Sequence, residues 1–359
     1  MPRVIDVKAN EVKQNPAPAR AIGPGSRLGS IKKERVREPS RYFLYGDNGT
    51  GKSTLAASAP NPIFLDCEGG SAHIVTNRYP FRVNADGSVP PGGYVPRSYA
   101  EVMSAIDDLI NNPHEFKTLV IDTADKLESM IWSFMIERDS GPSAKNRDTA
   151  LDSIESYGYG KGYQMAVDEW RALCAKLDRL RMARGMDVVL VAHSLVKAFK
   201  NPVGPDFDRY QPALHDKASG FLKGWVDVVG FVRHDVDAAK IPGTGKNARA
   251  KGFSTGRRML MLEPTAAYDA KARIGMPAEV EIDIVSPWAP LAAAVEGSFE
   301  DQAPKLRAAI DEEVARIGDA DTTAKVAAAV AKAGDDPTVL SRFLVSLKGR
   351  PSKTDNEQE

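Results

Sequence analysis

Only two cysteines, Cys67 and Cys174, occur in 359 residues, so no disulfide framework holds this chain together. Both lie in apolar segments, and a reducing compartment, the cytoplasm, is the expected setting. No stretch of about 18 apolar residues occurs, so no membrane span and no membrane partner are expected. The N-terminus carries no apolar run of the kind that directs secretion. Excess charge of either sign is also missing, with 48 basic residues against 48 acidic ones. Any affinity for nucleic acid must then come from a local patch and not from the field of the whole molecule. What remains is an ordinary globular composition, 42% hydrophobic and 27% charged, without an internal repeat.

Residues 1–40 are rich in Pro, Gly and basic side chains, with Lys32, Lys33, Arg35 and Arg37 close together. They read as a disordered, solvated arm or as a basic arm that touches nucleic acid. Short apolar runs follow at Arg41–Tyr45, Ile63–Asp66, Thr118–Asp122, Val188–Val191 and Val226–Val232. Helical spacing separates several of them, at Thr54–Ala59, Tyr99–Asn111, Leu127–Glu137 and Gln164–Arg184. Apolar runs buried on both faces and spaced by helices predict an α/β fold with a mainly parallel central sheet. The strand ends then bring Gly46, Asp66, Asp122 and His193 to one edge. Beyond Phe299 the chain turns Ala-rich and amphipathic over Leu306–Ile317, Thr323–Ala333 and Val339–Leu347, a small helical appendix. The expected division is an arm over 1–40, a core over 41–298, helices over 299–350 and a charged, disordered tail over 351–359.

Gly46-Asp47-Asn48-Gly49-Thr50-Gly51-Lys52-Ser53 satisfies G-x-x-x-x-G-K-[ST] at every fixed position. Glycines let main-chain N–H groups curl around an anion, and the helix that begins here points its positive end at the same place. Lys52 supplies charge to the β and γ oxygens of ATP, and the Ser53 hydroxyl is placed for Mg²⁺. Thr54 extends the cofactor-binding set. Asp122, closing an apolar strand, is a second metal ligand by its position, or a cap for the helix that follows. Asp66-Cys67-Glu68 comes after another strand. Glu68, next to Gly69-Gly70, suits a base that activates water better than Asp66 does, although a solvated turn carboxylate has the same appearance. His193 at a strand end is a structural residue or a sensor of the γ-phosphate.

Taken together with Tyr157-Gly158-Tyr159-Gly160-Lys161-Gly162-Tyr163 and Tyr268-Asp269-Ala270-Lys271-Ala272-Arg273, these segments resemble the RecA-like P-loop ATPase core over Arg41–Val285. The chain is most similar to phage-encoded, short RecA-core recombination proteins of the AAA type. That resemblance implies a Mg²⁺-dependent ATPase with Glu68 catalytic and His193 sensing γ-phosphate, working in a bacterial host's cytoplasm. It also implies a homo-oligomer, ring or filament, with a single-strand-binding protein as a further partner. Two DNA-facing loops are implied at Ile154–Tyr163 and Leu195–Lys217. On their own chemistry both suit single-stranded DNA: Tyr157, Tyr159 and Tyr163 alternate with Lys161, and Lys197, Phe199, Lys200 and Arg209 follow in the second. The plainer alternatives are a tyrosine-rich turn packed on the core and an ordinary surface loop. Lys271 and Arg273 fit a basic pair reaching a neighbouring subunit's ATP, and Gly243–Arg258 is a second basic region of that kind; a surface hairpin is the plainer alternative for either.

Two rival readings use the same phosphate loop. A metabolite or nucleotide kinase needs a second acceptor pocket that the sequence does not reveal. An ATP-switched assembly protein needs no DNA and little turnover.

Overall fold

The computed structural model describes residues 27–32, 36–140, 151–240, 250–273, 275–298, 303–334 and 337–348. Two units are distinguished, Met1–Val36 and Arg37–Glu359. The first shows one turn of 3-10 helix, Arg27–Ser30. Most of the expected basic arm, residues 141–150, the tip of the basic region at Gly243–Arg258 and the whole C-terminal tail lie outside the described residues. Among the described residues no helix is long and apolar enough to cross a membrane.

In the second unit the strands are β1 (Arg41–Gly46), β2 (Pro62–Asp66), β3 (Asn77–Arg78), β4 (Thr118–Asp122), β5 (Asp187–Phe199), β6 (Phe207–Pro212), β7 (Val228–Lys240), β8 (Ala250–Met261) and β9 (Glu279–Glu281). They lie in the order β3-β2-β4-β5-β1-β7-β8-β9, with β6 paired to the far part of β5. From β3 to β7 every pairing is parallel, while β8 and β9 add on antiparallel. The helices are α1 (Lys52–Ala57), α2 (Tyr99–Asn111), α3 (Ala124–Ser140), α4 (Lys161–Arg184), α5 (Asp216–Trp225), α6 (Ala289–Gly297), α7 (Ala303–Ile317), α8 (Ala320–Ala333) and α9 (Pro337–Lys348). The expected α/β fold with a mainly parallel sheet and C-terminal helices is therefore what the chain forms.

Alternation along β1 shows why its strand reads as an unbroken apolar run. Phe43 and Tyr45 enter one core with residues of α2, α3 and α4, whereas Tyr42 and Leu44 enter another with α1 and α6. Each face buries side chains that would cost about 1.5–3 kcal/mol apiece to leave in water. Helices α7 and α9 share a separate small cluster that includes Ile310, Ile317, Leu340 and Leu347.

One expectation is corrected. Leu195–Lys217 is not a loop throughout, because β5 continues to Phe199 and turns back as β6, with Lys197 opposite Arg209. The described part of Gly243–Arg258 belongs to β8, paired antiparallel with β7, as the hairpin alternative expects.

Glycines in Tyr157–Tyr163 have two distinct reasons. Gly158 and Gly160 hold φ of +73° and +68°, flanking Tyr159, itself at +49°. Gly162 opens α4 against the preceding turn, where an added Cβ would lie 2.2 Å from the Ile154 carbonyl oxygen. Replacement of Gly162 by alanine should cost about 1–3 kcal/mol through displacement of that turn, measurable as a lower urea midpoint with an unchanged slope.

Candidate nucleotide site

Parallel register builds the site at the carboxyl ends of the strands. Gly46 stands opposite His193 on one side and Val232 on the other, and Asp66 stands opposite Asp122. Gly46 has no room for a side chain, since a Cβ would fall 2.1 Å from the Val232 carbonyl oxygen. Gly49 and Gly51 take φ of +77° and +89°, which side chains oppose. The loop is held by its own groups: Thr50 Oγ1 donates to the Asp47 carbonyl at 2.8 Å, and Ser194 Oγ donates to the Asp47 carboxylate. Among the described residues, the amides of Gly49, Gly51, Lys52 and Ser53 donate no hydrogen bond. They line a cavity of about 450 Å³ together with Thr54, Glu68, His73, Asp122, Thr123, His193 and Arg258.

Lys52 is buried, and its Nζ donates to the carbonyls of Gly46 and Asp47 at 2.9 and 2.8 Å. Burial lowers its pKa, against the pull of Asp122 and the neighbouring carboxylates. A lysine folded onto loop carbonyls has only to exchange those acceptors for phosphate oxygens.

Asp122 is pushed up to about 6, first by burial, with Asp66 and Glu68 adding negative charge against the pull of the nearby Ser53 hydroxyl and of Lys52. The Asp122 carboxylate is thus short of positive charge, and Ser53, on the same cavity, is a second hard oxygen donor. This donor pair fits Mg²⁺, which takes one or two protein oxygens and completes its shell with phosphate and water. Among the described residues no group of three or more His, Cys, Asp or Glu could hold a metal ion. Asp122 does not cap the following helix, because Thr123 fills that role, its Oγ1 accepting from Lys126 N at 3.4 Å.

Asp66 does not face the cavity as a base. It organises the turn that follows, accepting from Gly69 N at 2.6 Å, Ser71 N at 3.1 Å and Ser71 Oγ at 2.6 Å. That turn presents Glu68 and His73 to the cavity. Glu68 Oε2 lies 3.9 Å from His193 Nε2, and the other ring nitrogen of His193, Nδ1, is 3.0 Å from Asp125 Oδ2. Asp125 also accepts from His193 N at 3.0 Å. The hydrogen bond to Asp125 raises the His193 pKa; burial pushes Asp125 up, but the bonds from His193 outweigh it and hold Asp125 low. Asp125 is absent from the residues that sequence reasoning selects, although a carboxylate three residues after Asp122, in the first turn of α3, is the available signal. Both cysteine thiols are driven up by burial and are inert.

The other candidates divide. Lys271 turns inward, donating to the carbonyls of Val226, Lys223 and Gly224 at 2.7, 3.0 and 3.3 Å and so closing the end of α5. Arg273 lies 3.3 Å from Asp227, which also binds Arg41 at the start of β1. That end of the sheet is about 17 Å from Gly46 at roughly 3.3 Å per residue, so the expected pair is spent on its own chain. Tyr157 donates to Asp139 at 2.7 Å, and Tyr163 stacks on His215 at 3.9 Å. Lys197 pairs with Asp216 at 2.5 Å, and Arg209 pairs with Asp269 at 2.9 Å while covering Phe199. Tyr159 is 102% exposed, and Lys161 and Lys200 are exposed too. The Tyr163–His215 stack joins the two DNA-loop candidates.

A group whose pKa is raised in the folded chain supports stability at low pH and withdraws that support as pH rises through its folded value. For Asp122 the loss runs from about pH 4, the ordinary carboxylate value, and is complete above about pH 6, up to about 3 kcal/mol at roughly 1.4 kcal/mol per unit. Asp122→Asn should therefore raise the melting temperature of the nucleotide-free protein at pH 8 by several degrees and hardly at all at pH 4. Parallel melts of both proteins isolate this group from Glu128, also raised, to about 7.

Comparison with known proteins adds three findings. No curated protein matches the sequence. The crystal structure of the RadB recombinase matches at 12% identity with a TM-score of 0.34, covering 70% of this chain and 90% of that one. A family model described as AAA domain matches residues 38–274, from just before β1 through the segment carrying Lys271 and Arg273. The chain belongs to that AAA domain family.

Proposed function

We propose that this chain binds and hydrolyses ATP with Mg²⁺ and uses the nucleotide to control its grip on single-stranded DNA in recombination or repair. The observation that carries the ATP reading is the set of amides at Gly49, Gly51, Lys52 and Ser53 without acceptors among the described residues, beside Lys52 and a buried Asp122. Ser53 and Asp122 would hold the ion, which supplies charge neutralisation to the β and γ oxygens. The amides bind and orient the triphosphate, and Lys52 exchanges loop carbonyls for phosphate oxygens. Glu68 accepts a proton from the attacking water as its oxygen bonds to the γ-phosphorus. The bond from that phosphorus to the bridging oxygen breaks, and ADP leaves with the electron pair. His193, fixed at Nδ1 by Asp125, turns Nε2 towards Glu68 and the γ position.

For DNA, the supporting feature is Tyr159, exposed between two left-handed glycines beside Lys161. A bulky residue held at positive φ is strained, and such strain is commonest at functional positions. β5 runs without interruption from His193 in the nucleotide cavity to the hairpin that turns near Lys200, and α3 braces the base of that hairpin, through Asp125 to His193 and through Glu128 to His215 N at 2.9 Å. A change at the γ position thus has a short, packed route to the hairpin.

One observation favours a second reading. A cavity of about 900 Å³, lined by Arg97, Ser98, Lys126 and Phe134 among others, meets the phosphate cavity at Glu68. A kinase would place its acceptor there.

Turnover of ATP, assayed with and without single-stranded oligonucleotide, separates these readings. Stimulation by DNA and loss of at least about 100-fold in Lys52→Ala are expected; transfer to a small acceptor with no DNA effect supports the kinase. Tyr159→Ala should weaken oligonucleotide binding by roughly 1–3 kcal/mol without altering its salt dependence. Replacement of Lys161 and Lys200 together should instead flatten the salt dependence. Affinity indifferent to ATP and to all three changes would rule out the DNA role.

A further inference from the structure

A cation of the basic region Gly243–Arg258, expected to serve a neighbouring subunit, reaches the phosphate loop of its own chain. Arg258 lies on β8 two residues before Leu260, which is buried in the layer containing α1. Strand alternation therefore turns both side chains towards α1. Gly46 ends β1 opposite Val232, whereas Arg258 pairs with His234, two residues further along β7. Arg258 thus stands roughly 7 Å beyond the end of the loop-bearing strand. Its main chain is fixed from the other side, where Ile282 N donates to the Arg258 carbonyl at 2.8 Å. The guanidinium comes to rest over Gly51, so close that a Cβ added there would lie 2.6 Å from Nη1. Gly51 consequently lacks a side chain for two independent reasons, its φ of +89° and the room it leaves for Arg258.

The partners of the neighbouring arginines sharpen the contrast. Arg257, on the opposite face of β8, binds Asp235 at 2.5 Å and approaches Glu281 at 3.8 Å. Arg209 and Arg41 are likewise paired with carboxylates. Among the described residues the Arg258 side chain makes no hydrogen bond and no ion pair, and it borders both the phosphate cavity and a smaller one of about 170 Å³ beyond Gly51. An arginine fork left without an acceptor, beside amides also left without acceptors, matches the geometry that binds phosphate oxygens.

We propose that Arg258 is a catalytic residue acting in cis: it binds the phosphates of the nucleotide held by its own loop, and no neighbouring subunit is needed to supply that charge. This rests on the ATP reading above. When water bonds to the γ-phosphorus and the bridging P–O bond breaks, negative charge grows on the departing ADP. Arg258, on the Gly51 side of the loop, neutralises that charge, while the proton from water goes to Glu68.

Three measurements test the proposal together: ATP turnover by Arg258→Ala and Arg258→Lys, turnover by an equimolar mixture of Arg258→Ala with Lys52→Ala, and binding of a fluorescent ATP analogue to each protein. Arg258→Ala is expected to lose about 100-fold or more in kcat and Arg258→Lys less, both with wild-type melting curves. The mixture is expected to stay inactive. A residue acting across an interface would restore turnover there, because Lys52→Ala subunits would lend an intact Arg258, and such rescue would overturn the proposal. Full activity in Arg258→Ala would overturn it as well. If the wild type binds the analogue but does not turn ATP over, the hydrolysis reading fails. Arg258 is then judged by binding alone: a loss of at least about tenfold in Arg258→Ala supports phosphate contact, and unchanged affinity refutes it.

Discussion

Parallel pairing of β1 with β5 on one side and β7 on the other brings Gly46, His193 and Val232 level with one another. The rest of the nucleotide cavity depends on that register. A shift of one residue would exchange the two faces of β1, putting Phe43 and Tyr45 where Tyr42 and Leu44 pack. The two cores on opposite faces of the sheet therefore hold the register, and the register holds the cavity. Stability and site geometry are in this sense one constraint, and Gly46, pressed against the Val232 carbonyl, is where the two meet.

Charge around the cavity is arranged in layers. Asp66 is consumed in shaping a turn, and Asp125 is consumed in fixing His193. Asp122 is the carboxylate whose burial is least compensated, and Lys52 meanwhile rests on carbonyl oxygens. A buried carboxylate of that kind costs stability unless a cation arrives. The nucleotide-free chain thus carries a strain that a bound metal and triphosphate would relieve, coupling ligand binding to folding stability.

The phosphate loop was legible because each position answers a local demand: positive φ at Gly49 and Gly51, close approach at Gly46, charge at Lys52. The strands before it were legible from apolar runs, and Asp122 and Glu68 from their places at strand ends. Other features depended on pairing between distant segments. Nothing in Leu195–Lys217 announces that β5 runs on for six residues past His193 and folds back, since its alternation is partly polar on both faces. Lys271-Ala272-Arg273 looked like a free basic pair, but its partners, the end of α5 and Asp227, are far away in the chain. Arg258 sat in a basic, glycine-rich stretch that read as a source of charge for a neighbouring subunit's ATP, with nothing to single it out from the other cations there. The apolar run Met259-Leu260-Met261-Leu262 that follows was the available signal that this strand enters the core on both faces. Tyr157, Tyr159 and Tyr163 looked equivalent in sequence, and only backbone conformation separates exposed Tyr159 from the two that bond or stack within the chain.

Hydrogen–deuterium exchange across Gly46–Thr54, with and without MgATP, is the most direct test of the central claim that the loop amides are donors awaiting a triphosphate. Strong slowing of exchange at Gly49, Gly51, Lys52 and Ser53 on adding MgATP, absent in Lys52→Ala, is the predicted result. Exchange that is already slow without nucleotide, or that MgATP leaves unchanged, would contradict the account, because those amides would then be satisfied inside the fold or facing elsewhere.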